Sequence, residues 1–382
     1  MTTDLLAAAL DALCRADPVL LAGGETVQAL HRAVERLRAV TTRATAAFDA
    51  SRAWEAEGAR SAAAWVGVRC GLPAESARRE VRLGRALRHL PAVEAAWLAG
   101  AIGEAHVGLL AAARTPATEE AFGRDEAFLV AKARELGFAQ FVRLLAYWRQ
   151  LADPEGADAD AEAQHRARRV HLSQTFGGSW VLDGMLDPIS GGIVAKALGD
   201  IEHELFLADW SGAKARLGDG REVRVADLAR TPAQRRAIST RASARRAQAM
   251  PAGARVPEPL FTVLVGYETF RDRICQLGDG TVVTPASLAP WLGEASVERV
   301  VFDGPDRVKN VGVRRRVFAG ATRRAVEVRD QECFHEFCDV PAEECEIDHV
   351  RPWSEGGPTT DDNGRPACGF HNRLRHRRGP PP

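Results

Sequence analysis

Over residues 1–152 apolar positions recur three and four apart in an Ala- and Leu-rich background, interrupted at intervals by Gly or Pro. That is the helical period, and it predicts a helical domain over 1–152. Leu30, Val34, Leu37 and Phe48 mark one face of a long helix from near 25 to about 58. Shorter helices are predicted over 61–69, 74–90, 91–98, 104–114, 119–135 and 138–151. His106 falls on an apolar face, which points to a hydrogen-bonded core histidine.

At 153–168 large apolar residues thin out and acids accumulate, the composition of a linker or a frayed polar helix. The period then shortens. A hairpin turning at Gly177-Gly178 carries Val170, Leu172, Trp180 and Leu182 in its arms. An amphipathic helix follows over 188–207, and Thr231-Pro232 is an N-cap and first-turn pair for a helix reaching about 250. The run at 259–267 reads as a buried strand, Gly278-Asp279-Gly280 as a turn into a short extended segment, and 297–303 as a further strand. These elements predict an α+β middle domain over 165–310. Asp183, Asp187, Glu202 and Glu204 lie at no spacing that singles out an acid-base pair, so they read as surface residues. A helix over 321–329 opens a small C-terminal module over 319–382. The fold class is therefore a mainly α N-terminal region, an α+β middle region and a small metal-binding C-terminal module.

A chain of 382 residues, 46% hydrophobic and 27% charged, is long enough for two or three soluble domains. With 51 basic and 51 acidic residues the whole molecule has no bias toward nucleic acid or membrane, so any basic surface is local. Two local candidates stand out. The helix over 74–90 follows the turn Cys70-Gly71-Leu72-Pro73 in a helix-turn-helix outline and carries Arg78, Arg79, Arg82, Arg85 and Arg88. Arg78, Arg82 and Arg85 share one side and could reach phosphates, but a solvated helix face is the favoured reading and a DNA-contacting role the secondary one. The segment 307–316 has five basic residues and no acid; with Arg314, Arg315 and Arg316 it is the strongest candidate for phosphate contacts, a charged connector being the alternative. Arg323, Arg324 and Arg329 are expected to be exposed beside the module, with Arg323 a further candidate for nucleic-acid contact. No apolar run approaches membrane-spanning length and the N-terminus lacks a basic lead, so the expected location is the cytoplasm, with no membrane partner. In a reducing compartment clustered cysteines point to metal, while the isolated Cys14, Cys70 and Cys275 read as buried small hydrophobes.

The cluster lies between 333 and 378. Cys333-x4-Cys338 and Cys368-x2-His371 form two close ligand pairs, the simplest way to assemble a tetrahedral Zn²⁺ site that staples a segment with little apolar core. Cys345 and His335 are spare candidates, so the set of four is open to exchange. Between the pairs, the alternation in Cys345 to Trp353 reads as a strand that ends at Pro352, Gly356, Gly357 and Pro358 make a loop, and Asn363 precedes the return. After Cys368 a helix begins on which Asn372 and His376 share a face. Strand, loop and helix bring Asp348 and Asn372, with His376 as a further candidate, to one hard cation and leave His349 beside it.

Asp348-His349, Asn363, then Cys368-x2-His371-Asn372 near a basic end resembles the HNH endonuclease motif of the ββα-metal superfamily. The long Ala- and Arg-rich region before it resembles the actinobacterial proteins that carry the domain of unknown function 222 ahead of a C-terminal HNH module. The resemblance implies an endonuclease acting on DNA, double-stranded in the simplest case. In it His349 is the general base, suited by an ordinary imidazole pKa of about 6.5. Asp348 binds the catalytic cation, and Asn363 braces the loop and orients His349. Where the family often has a second metal-binding histidine this chain has Asn372, whose hard amide oxygen favours Mg²⁺ or Mn²⁺. His371 is assigned to the zinc pair and Arg373 to nucleic acid. The alternative function is a non-catalytic, zinc-containing DNA-binding or regulatory protein of a mobile or repeat element, with the arginine helix as its binding surface.

Overall fold

The computed structural model describes residues 2–218, 221, 223–251, 260–265, 275–277, 280–288, 296–301 and 318–378. The chain is mostly helical, with small two-stranded sheets, and divides into two compact units, Met1–Pro154 and Glu155–Pro382. Among the described residues no helix is long and apolar enough to cross a membrane.

The first unit is built from α1 (Thr2–Arg15), α2 (Gly24–Ser51), α3 (Ala62–Arg69), α4 (Ala74–Leu87), α5 (Pro91–Leu98), α6 (Glu104–Ala113), α7 (Glu119–Glu135) and α8 (Phe138–Ala152). Trp97, Phe122, Phe141, Leu110 and Leu129 are fully buried in one core shared by α4 to α8. Each such side chain contributes roughly 1.5–3 kcal/mol relative to exposure. Helix starts are satisfied from a distance where the sequence offers no local cap. Leu90 at the N-cap of α5 has no acceptor, and the buried Glu126 carboxylate of α7 takes the Ala92 and Val93 N–H groups at 2.9 and 3.1 Å. Glu35 likewise accepts from the Glu104 N–H at 2.7 Å and from Trp97 Nε1 at 3.0 Å.

Several expectations for this unit are corrected. The long helix ends at Ser51, where Arg52 turns left-handed, rather than near 58. Its buried face is Ala39, Thr42 and Ala46, while Val34 is exposed. Small residues win there because α4 approaches closely: a Cβ on Gly84 would meet the Ala46 Cβ at 2.9 Å. Cys14 and Cys70 are exposed, because Cys14 stands on a wholly exposed stretch of α1 and Cys70 lies in the turn after α3. His106 packs edge-on against Phe138, and its Nε2 is buried without a hydrogen-bond partner among the described residues, so the ring is held by packing. Burial pushes its pKa down, outweighing the nearby Glu35 charge.

The α3–turn–α4 outline is present, with Gly71 left-handed at φ 66°. Its arginines, however, are matched to acids. Arg78 and Arg82 meet Glu75, Arg79 meets Glu104, Arg85 binds both oxygens of Asp49 at 2.8 Å, and Arg88 lies 3.8 Å from Asp49. That pattern is a solvated, ion-paired helix face.

The second unit opens with α9 (Pro154–Arg166), a polar helix with no buried residue. The hairpin of β1 (Arg169–Gln174) and β2 (Trp180–Met185) follows, then α10 (Pro188–Leu217), longer than the expected 188–207, and α11 (Pro232–Ala249), capped by Thr231 and Gln234. Asp187 is buried rather than on the surface. It caps α10 through the Ser190 N–H at 2.9 Å and holds Arg168 at 3.1 Å. Strand β3 (Leu260–Val265) and β6 (Ser296–Val301) pair in parallel, and β4 (Cys275–Gln276) and β5 (Val282–Val283) antiparallel, with the one-turn helix α12 (Pro285–Leu288) after them. The basic segment with Arg314, Arg315 and Arg316 lies outside the described residues.

The C-terminal part of this unit holds the site. It runs α13 (Gly320–Asp330), β7 (Glu346–His349), β8 (Gly364–Ala367) and α14 (Gly369–Arg378). The strands form an antiparallel pair with Asp348 opposite Arg365 and His349 opposite Gly364. Helix α13 packs on β8, and α14 on both strands. Gly364 is required by that packing, since a Cβ there would stand 2.7 Å from the Phe318 ring and 2.8 Å from Val326. Arg329 ties α13 to the strand entry, donating to the Asp361 and Gly364 carbonyls at 2.7 Å each while the Asp330 carboxylate holds its other edge.

Candidate metal and catalytic site

The loop after α13 and the start of α14 bring four ligand atoms together. Cys333, Cys338, Cys368 and His371 offer atoms that all lie within 4.8 Å of one another. Cys338 Sγ is 3.8 Å from Cys368 Sγ, and His371 Nδ1 is 3.4 Å from Cys333 Sγ and 3.3 Å from Cys368 Sγ. Zinc bonds of about 2.3 Å to sulfur and about 2.0–2.1 Å to nitrogen at tetrahedral angles place ligand atoms roughly 3.5–3.8 Å apart. The residues therefore fit a structural Zn²⁺.

Electrostatics point the same way. Burial opposes ionisation of Cys333, yet the Cys368 and His335 N–H groups outweigh it and hold this thiol below its ordinary range. Cys338, half-buried and facing the other thiols, is pushed up to about 12 by that burial and by its neighbours. Crowded thiols cannot all ionise without a neutralising cation. His371 is lowered by burial and by His335, which keeps its imidazole neutral as a ligand must be. The two spare candidates stand outside this set of four. Cys345 is a buried thiol, raised by burial and then by its thiol neighbours, and bonds the Val340 carbonyl. His335 stacks on His371 with ring centres 4.0 Å apart.

Strand alternation sorts the remaining residues. Glu346 and Asp348 leave one face of β7, Ile347 and His349 the other, and the strand ends at His349. Asp348 lies 3.7 Å from the Arg365 guanidinium, which is itself stacked 3.9 Å over Phe334. The His349 ring packs against Phe318 at 4.6 Å and Trp353 at 5.8 Å, and its Nε2 is 2.9 Å from the Thr359 hydroxyl. Asn363 closes the intervening loop. Its Oδ1 accepts from the Arg351 N–H at 2.8 Å, and its Nδ2 donates to the Pro358 and Arg351 carbonyls at 2.7 and 3.1 Å. On α14, Asn372 donates its Nδ2 to Glu346, and its Oδ1 is buried without a hydrogen-bond partner among the described residues.

Sequence reasoning did not single out Thr359 and Glu346. The position of Glu346, two before Asp348 on a strand, was the signal for it. Arg323 was expected to be exposed for nucleic acid; it is half-buried, paired to Glu327 at 2.7 Å and donating to the Cys345 carbonyl at 2.9 Å. Arg324 and Arg329 are also half-buried, because α13 lies against the module rather than beside it. Arg373 and His376 lie on α14, with side chains outside what the structure describes.

A two-stranded hairpin followed by a helix, with a cluster of three cysteines and one histidine that could bind zinc, defines a small ββα module. The chain belongs to the family described as Domain of unknown function (DUF222), whose profile matches residues 25–330, and the profile described as HNH endonuclease matches 331–378. The HNH match supports a nuclease-type function on nucleic acid with divalent metal. Uncharacterized proteins from two strains of Mycobacterium tuberculosis are each 48% identical over 50 residues, which is 13% of this chain and 9% of theirs. The match thus spans less than a tenth of the relatives' length. No solved structure matches.

Proposed function

We propose that the C-terminal module, 319–382, is a metal-dependent endonuclease that hydrolyses phosphodiester bonds of duplex DNA. The observation that carries this reading is the setting of His349, at the end of β7 with its Nε2 2.9 Å from the Thr359 hydroxyl. With Nε2–H donating to Thr359, the imidazole has its lone pair on Nδ1, the form that takes a proton from an attacking water. Asn363 holds the loop that carries Thr359, and so keeps the ring in place. Asp348 and Asn372 hold the catalytic cation, with a carboxylate and an amide oxygen that suit Mg²⁺ or Mn²⁺. The buried, partnerless Oδ1 of Asn372 fits such a role. When bound, that cation would stabilise charge on the phosphate and the departing 3′ oxygen. The zinc set has its four protein ligands and leaves no open position for chemistry.

A non-catalytic DNA-binding reading leans on the arginines of α4, and these are engaged with acids. The test is nicking of supercoiled plasmid with Mg²⁺ or Mn²⁺ by the wild type and by His349→Ala. The expected loss is about 10²–10⁴-fold; undiminished cutting by the variant, with zinc retained, contradicts the assignment.

A further inference from the structure

The Asn372 amide is held at one end only. Its Nδ2 donates to the Glu346 carboxylate between α14 and β7, while its Oδ1, at the other end of the same planar group, is buried and partnerless among the described residues. A buried amide oxygen without a donor has given up its hydration for nothing in return. Rotating the amide by half a turn would not relieve that cost, because it would set oxygen against carboxylate. Glu346 thus dictates which end of Asn372 faces away from it. Glu346 also stands two residues before Asp348 on β7, so both carboxylates leave the strand on the same side, the one on which Glu346 meets Asn372 of α14.

We propose that Glu346 is a positioning residue for the catalytic cation, locking the Asn372 amide so that Oδ1, rather than the Nδ2 donors, is presented to the cation shared with Asp348. This rests on the reading of Asp348 and Asn372 as cation ligands given above. Without an acceptor at 346 nothing selects between the two amide orientations, and the wrong one turns two N–H groups toward a positive ion. An outer partner of this kind is worth 10–100-fold in metal affinity.

The test is Mn²⁺ binding by full-length, zinc-loaded protein, followed by the loss of the free-ion paramagnetic resonance signal, with zinc stoichiometry and helical signal recorded for every variant. Glu346→Ala is expected to weaken Mn²⁺ binding about 10–100-fold, and Glu346→Gln, which keeps an acceptor, to stay within about threefold. Asn372→Ala should weaken binding at least as much as Glu346→Ala. If the alanine variant at 346 loses zinc, Glu346→Met, of similar length and without an acceptor, takes its place. Wild-type binding in the non-accepting variant, with binding lost in Asn372→Ala, overturns the role of Glu346 and leaves the ligand assignment standing. Equal losses in Glu346→Gln and the non-accepting variant place the effect on charge and also overturn it. Wild-type binding in both Asn372→Ala and Asp348→Ala overturns the underlying ligand assignment instead.

Discussion

In the helical unit Trp97, Phe122, Phe141 and Leu129 are sealed from water, whereas over 331–378 the described buried side chains, Pro366 and His371 apart, are no larger than a threonine or a thiol. The first region can hold its shape by area removed from water. The second buries mainly Cys333, Ala342, Cys345, Ala367 and Cys368. A segment with so little apolar volume gains most from a staple, and its ligand cluster could bind a zinc that supplies one. The helical unit is therefore vulnerable to cavities, and the module to disruption of its ligand cluster.

The largest expected effect separates the two regions outright. Stripping zinc removes a binding free energy of about 10–16 kcal/mol, and Cys368→Ser takes away one of its four ligands. Amide hydrogen exchange should then rise to unprotected levels across 331–378 while 91–148 stays protected. Persistent protection of β7 and β8 without zinc would show that the module holds its shape by packing alone.

The converse experiment is Trp97→Ala, which should destabilise the helical unit by about 3–5 kcal/mol and lower its melting temperature. Zinc stoichiometry of the module should be untouched.

Legibility from sequence follows the same division. The helices of the first unit announced themselves through their period, and the zinc pairs through ligand spacing, because both signals are local. The buried face of α2 was misread because close helix packing there selects Ala39, Thr42 and Ala46 over the larger Leu30 and Val34. Asp187 was misread although Asp before Pro188 is an N-cap signal, since its burial depends on Arg168 across the turn. The roles of Glu126, Arg329 and Thr359 depend on contacts 33, 35 and 10 residues away, which no local pattern carries.

A smaller effect sharpens the electrostatic side of the helical unit. The hydrogen bond from Arg85 holds the Asp49 carboxyl below its ordinary range, against the opposing effect of burial. The unfolded chain therefore binds the proton more readily, so this pair stabilises above the unfolded carboxyl pKa of about 3.9. Its contribution is lost as pH falls through the lowered folded value. Because Arg85 is largely exposed, the contribution is under about 1 kcal/mol; Asp49→Asn should flatten that part of the acid-stability curve. No flattening would show that the pair is screened out.

The smallest effect concerns the exposed arginines of α4. Arg78→Ala and Arg82→Ala should each change stability by no more than about 0.5 kcal/mol and leave DNA affinity and its salt dependence unchanged. A reduced salt slope would assign this helix to phosphate contacts after all.

We propose a division of labour in which zinc folds the module and a second cation does the cutting. Its most direct measurement is plasmid cleavage by zinc-loaded protein dialysed into buffer free of other divalent ions, before and after Mg²⁺ or Mn²⁺ is added. The expected result is no cleavage before addition and cleavage afterwards, with the zinc content constant throughout. Full cleavage on zinc alone, or none with any added cation, would contradict it.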